Sequence, residues 1–105
     1  MPRQRRKTMR TRLWFDARAI VKFNYGTIRG IVHNLGARGM FLKTSQRIPE
    51  YSNVEVKIMF HSKVPSVLSG IKGTVIWCTD KGMGIRFTQI DLDRFRGCVT
   101  SIIKG

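Results

Sequence analysis

Apolar residues recur at every second position in one segment of this chain after another, and that period restricts what the chain can fold into. In Ala17–Asn24, Ala19, Val21 and Phe23 alternate with Arg18, Lys22 and Asn24. Thr27–Leu35 places Ile28, Gly30 and Val32 on one face, and Met40–Lys43 forms a short continuation. Asn53–Phe60 sets Val54, Val56, Ile58 and Phe60 against Asn53, Glu55 and Lys57. Gly70–Cys78 and Gly82–Thr88 complete the series, joined by Thr79-Asp80-Lys81; in the second, Met83, Ile85 and Phe87 oppose Arg86 and Thr88. A period of two buries one face of a strand and wets the other. Turn signals separate the runs at Asn24-Tyr25-Gly26, Asn34–Gly39, Pro49–Asn53 and His61–Ser66. The period then changes: Leu92, Phe95, Val99 and Ile102 recur at helical spacing behind Asp91, a residue suited to cap them. Gly97 lies inside that helix, at about 1 kcal/mol relative to alanine. Six short strands and one terminal helix predict an antiparallel barrel or sandwich with the helix packed on it. Closure into a barrel removes the exposed strand edges.

The chain has 105 residues, the size of one domain, and 42% are hydrophobic, enough for a core. Its formal charge is +14, and the distribution is uneven. Residues 1–47 hold twelve of the 20 basic residues and one of the six acidic ones. The densest part is Pro2–Arg12, with Arg3, Arg5, Arg6, Lys7, Arg10 and Arg12 and no acid. Like charges this close repel and bury nothing, which predicts a basic arm over residues 1–12 ahead of a folded domain over 13–105. The arm reads either as a solubilising tail or as an anion-grasping segment that orders on binding. Positive charge of this size favours an anionic partner. No apolar run is long enough for a membrane span, and no apolar stretch follows the basic start as a secretory signal requires. Two isolated cysteines, Cys78 and Cys98, suit a reducing compartment, so a cytoplasmic protein is expected.

Reactive groups are sparse. His33 and His61 have no motif around them, the acids are scattered singly, and Cys78 and Cys98 lack metal-ligand spacing. Cys98 reads as a small core residue near the apolar face of the helix. Catalysis is the least supported class, and no cofactor is expected.

Two patterns carry the functional argument. The first is Arg6-Lys7-Thr8-Met9-Arg10, an R-x-x-x-R in the basic arm. The second is Asn34-Leu35-Gly36-Ala37-Arg38-Gly39, between two strands. By itself the second reads as a turn in which glycine supplies a positive φ. In this order and spacing the chain resembles the PilZ domain, a family of bacterial receptors for cyclic di-GMP. That family is marked by R-x-x-x-R in an N-terminal segment and (D/N)-x-S-x-x-G about two strands later. Arg6 and Arg10 match the first motif, and Asn34 and Gly39 match the ends of the second. Gly73-Thr74-Val75-Ile76-Trp77 and Gly82-Met83-Gly84-Ile85-Arg86-Phe87 resemble the family's final hairpin. The resemblance runs from Arg5 to about Ile103. It implies a six-stranded antiparallel β-barrel, the PilZ-like split barrel, with a C-terminal helix. It also implies a non-enzymatic cyclic di-GMP receptor that signals to a downstream protein.

The site residues implied are Arg5, Arg6, Arg10, Asn34, Gly36 and Gly39, with no metal. Cyclic di-GMP offers two phosphodiesters and two guanines. A guanidinium forks onto guanine O6 and N7 or onto phosphate oxygens, which lysine does not do. Asn34 has a carbonyl that accepts from guanine N–H groups, and Gly39 shapes the turn that aims it. Arg5 is an equivalent of Arg6. Gly36 stands where the family has serine, so one hydroxyl is missing, worth about 0.5–1.5 kcal/mol. Arg38 reads as a phosphate contact or a solvated residue. Trp77 reads as a base-stacking surface or a core aromatic. Two other readings stay open: a degenerate PilZ adaptor that binds a protein without nucleotide, and a basic nucleic-acid-binding barrel.

Overall fold

The computed structural model describes residues 16–24, 26–61 and 65–104. Six strands precede one helix: β1 (Asp16–Phe23), β2 (Gly26–His33), β3 (Gly39–Lys43), β4 (Asn53–His61), β5 (Ser66–Thr79), β6 (Gly82–Gln89) and α1 (Leu92–Lys104). They close into a barrel in the order β1-β2-β3-β6-β5-β4, with every neighbouring pair antiparallel. The sandwich alternative is thereby set aside in favour of the expected six-stranded barrel. The inward phase is the apolar one. Ala17, Ala19 and Val21 of β1 meet Val54, Val56, Ile58 and Phe60 of β4, and Met83 and Ile85 of β6 complete the far wall. Ile48, from the loop after β3, is also buried in this core.

The helix begins as expected. One carboxylate oxygen of Asp91 accepts from the backbone N–H groups of Asp93 and Arg94, each at 3.1 Å, satisfying two donors that a helix start leaves free. Cys98 is buried and Phe95 packs against the same core. Leu92, expected on that face, is 46% exposed instead. It is the first residue of α1, at the end of the stripe by which the helix packs on β5.

Other departures have local causes. β2 stops at His33, before the expected Leu35, because Asn34 takes a left-handed φ of 50° that ends the extended run. His61 completes β4 and Ser66 starts β5, so the loop between them is shorter than expected. β5 therefore starts four residues before Gly70. That glycine, read as a strand start, has a φ of 77° and lies in a bulge where the β4–β5 register shifts. The β5–β6 connection is two residues, since Thr79 pairs with Gly82.

A second bulge in β5 decides where Trp77 points. The β5–β6 register shifts between Val75 and Trp77. Val75 is buried, and simple alternation would return Trp77 to the interior two residues later. The extra residue, Ile76, resets the phase, so Ile76 and Trp77 are both exposed on the outer face while Cys78 turns back toward the core. β4 pairs with β5 as far as Thr74. Past that point the loop before β4 covers the β5 edge. Val75 donates its N–H to the Ser52 carbonyl at 3.0 Å, and Cys78 donates its N–H to the Glu50 carboxylate at 3.1 Å.

Candidate functional site

The Asn34–Gly39 turn joins β2 to β3 at one end of the barrel. Gly36 N–H donates to the Gly39 carbonyl at 2.9 Å, and Phe87 N–H of β6 donates to the Arg38 carbonyl at 2.7 Å. Leu35 packs against the core between them, so the turn is pinned by one apolar anchor and two backbone bonds. The glycines do not supply the positive φ expected of them. The left-handed residue is Asn34, a type that tolerates this conformation. Gly39 is needed for a different reason: a Cβ there would lie 2.3 Å from the Ile85 carbonyl oxygen, so only glycine lets β3 approach β6 this closely. A Cβ on Gly36 would meet nothing within 4 Å.

Beside this turn, cross-strand register builds an aromatic row on the outer surface. His33 pairs with Phe41, Phe41 with Gly84, and Gly84 with Trp77. The Phe41 and Trp77 rings stack with centroids 5.4 Å apart and planes 24° apart, and His33 meets Phe41 edge-on at 6.4 Å. The indole lies over Gly84, where a Cβ would fall 2.4 Å from its ring. Gly84 is thus the gap that lets Trp77 lie flat against the barrel with 42% of its surface open. The core reading of Trp77 is therefore corrected.

Turn and aromatic row enclose a shallow cleft of about 450 Å³. Asn34, Arg38 and Gly39 line it from the turn, and Phe41, Trp77 and Arg86 line it from β3, β5 and β6. Asn34, Arg38 and Arg86 are exposed, and no acid among the described residues lines the cleft. Among the described residues neither arginine is paired with a carboxylate. The cleft is apolar on its floor and cationic at its rim, a form that accepts a flat anionic molecule.

Of the expected site residues, Asn34 and Gly39 line the cleft. Gly36 shares their turn without lining it. Arg5, Arg6 and Arg10 lie outside the described residues. Sequence reasoning missed Phe41, Gly84 and Arg86. A signal for the first existed: between inward Met40 and Leu42, an aromatic at the outward phase of β3 has no core to enter.

Gly84→Ala is expected to displace the indole while leaving the barrel folded, because the obstructing atoms belong to a side chain that can swing away. The near-UV circular dichroism of the Phe41–Trp77 pair should change with little change in thermal midpoint. An unaltered aromatic spectrum contradicts the role given to this glycine.

None of the curated proteins matches this chain. Among the described residues no helix is long and apolar enough to cross a membrane. The family model of the PilZ domain matches residues 4–104, which include both R-x-x-x-R and the Asn34–Gly39 turn. PilZ domains are binding and adaptor domains rather than catalysts, and they are generally cyclic di-GMP-binding modules. With a closed six-stranded barrel, a closing helix and a family match over nearly its whole length, the chain belongs to the PilZ domain family.

Proposed function

We propose that this protein is a cytoplasmic receptor that binds cyclic di-GMP at the Asn34–Trp77 cleft and passes the signal to a partner protein. The observation that carries the reading is the meeting, in one cleft, of the family turn, two arginines with no carboxylate partner among the described residues and an open indole face. A guanine base stacks on Trp77, with Phe41 behind the indole. The Asn34 side-chain oxygen accepts from the base edge, and Arg38 and Arg86 face the phosphodiesters. Arg5, Arg6 and Arg10 close from the arm over the exposed side of the nucleotide, so part of the interaction free energy offsets the ordering of that segment. Closure changes the charged surface next to the barrel, and that change is the signal.

Backbone amide chemical shifts recorded during a cyclic di-GMP titration test the placement. The largest changes are expected at Asn34–Phe41, Trp77 and Gly84–Arg86, together with the amides of residues 5–10. Changes confined to another face contradict the proposal.

The reading of the same fold as a nucleotide-free adaptor rests on Gly36, where the family has serine. The open space at Gly36 lets its role be measured directly. Gly36→Ser is expected to tighten cyclic di-GMP binding roughly three- to tenfold, the worth of one added hydrogen bond. Its thermal stability should stay within about 0.5 kcal/mol of the parent, as for other surface changes. Equal or weaker binding by calorimetry shows that the missing hydroxyl is not what sets affinity.

A further inference from the structure

The outer face of β2, β1 and β4 has a composition that the nucleotide does not use. One cross-strand row reads Lys43, Ile31, Arg18, Met59 and Val67, from β3 through to β5. The adjacent row reads Arg29, Ile20 and Lys57. Cations and aliphatic side chains therefore alternate in both directions across the surface, except at its β4–β5 end, where Met59 and Val67 are neighbours. Ile31 and Val67 are 41% and 45% exposed, whereas Ile20 and Met59 are half-buried between the longer basic side chains. The face holds a groove of about 580 Å³ lined by Arg18, Ile20, Arg29, Ile31, Met59 and His61. In the ring of six strands β1 stands opposite β6, so this groove faces away from the Trp77 cleft.

We infer that this groove docks an acidic amphipathic helix of a partner protein. Charge complementarity selects the occupant. Lys22, Arg29, Lys43 and Lys57 surround the groove with Arg18, against the acids Asp16 and Glu55. Asp16 lies 3.9 Å from Arg18 and 3.8 Å from His61, while Arg29 is paired with no carboxylate among the described residues. A second copy would set these cations against themselves, and the basic arm, which has no acid before Asp16, is repelled in the same way. Among the described residues that line the groove only His61 carries a ring, and it lies beside the Asp16 carboxylate, which repels a nucleic-acid backbone; this disfavours single-stranded nucleic acid. Its central aliphatic groups are recessed in a groove, whereas lipid insertion needs them to protrude. The barrel is closed and offers no strand edge here, so the partner binds through side chains, as a helix laid in a groove with its apolar stripe inward and its carboxylates outward.

The test uses the full chain and a labelled glutamate–leucine peptide of about five helical turns, with leucines at i, i+3, i+4 and i+7. Probes compared with it are a permuted peptide of the same composition, anionic phospholipid vesicles and duplex DNA. Saturable binding of the striped peptide is expected, with weaker binding of every other probe. The double variant Arg18→Glu/Arg29→Glu should lose about tenfold or more in peptide affinity. Ile31→Ser, an exposed position that leaves the core intact, should also weaken it. Both variants should keep cyclic di-GMP affinity. Absence of saturable peptide binding, equal binding of the permuted peptide, equal binding by the variants, or tighter binding of vesicles or DNA each overturns the inference. The two readings fail separately: peptide binding without nucleotide binding leaves this one standing and removes the other.

Discussion

Arg6→Ala and Arg10→Ala are each expected to weaken cyclic di-GMP binding about 5- to 150-fold, the equivalent of roughly 1–3 kcal/mol for a lost bidentate guanidinium contact. The reasoning starts from charge. Six basic residues in Pro2–Arg12, with no acid among them, repel one another, and charge alone gives no reason for the spacing R-x-x-x-R. The spacing gains one when a ligand presents a guanine edge and a phosphate together, because a guanidinium matches either with two parallel hydrogen bonds. Arg6→Lys and Arg10→Lys keep the charge and lose the fork, so they should recover little of the affinity. That comparison separates specific recognition from general attraction. If lysine restores full binding, the arm acts only as a cloud of positive charge. If neither alanine variant changes the calorimetric affinity, the arm has no part in the site. Thermal stability should be unaltered in all four variants, because alanine or lysine in the arm leaves the barrel core unchanged.

Gly39→Ala is expected to act on the fold and the site together. The added methyl would meet the Ile85 carbonyl oxygen at 2.3 Å and the Arg86 Cα at 3.3 Å, and these are backbone atoms of the paired strand. No side chain can swing aside, so β3 must move away from β6. That movement strains the five-residue pairing from Gly39↔Arg86 to Lys43↔Gly82. Overpacking of this kind destabilises by about 1–3 kcal/mol, a fall of roughly 5–20 °C in thermal midpoint for a domain of this size. The Asn34 turn hangs on the same contact through the Arg38–Phe87 hydrogen bond, so nucleotide affinity should fall as well. Gly36→Ala, three residues earlier in open space, is the internal control and should lower the midpoint little. Equal effects at the two glycines contradict the assignment of different roles to them.

The contrast between these glycines shows where sequence reading reaches its physical limit. Alternation in β1, β4 and β6 was legible because each strand has one wet face and one dry face, and a period of two records that directly. The cap at Asp91 was legible because it is local. A bulge leaves no such record: Gly70 read as a strand boundary, yet it is a left-handed residue inside β5. The Ile76 bulge likewise moved Trp77 from the phase of the core to the phase of the surface. At the site, Asn34 and Gly39 were legible as part of a turn motif. The reason for Gly39 was not, because the obstructing carbonyl belongs to Ile85, which only folding brings near. The aromatic row needs four strands in register, from His33 to Gly84, and no local window of sequence contains it.

Calorimetric titration of the intact protein with cyclic di-GMP at two ionic strengths, with GTP and duplex DNA as parallel ligands, tests the central claim most directly. The account predicts saturable cyclic di-GMP binding that is tighter than GTP binding and only mildly weakened by salt, since the ligand carries two charges. Neutralisation of many phosphates along a duplex falls steeply with the logarithm of salt concentration instead. Absence of a cyclic di-GMP complex even at millimolar ligand contradicts the account, as does a preference for DNA that collapses as salt rises.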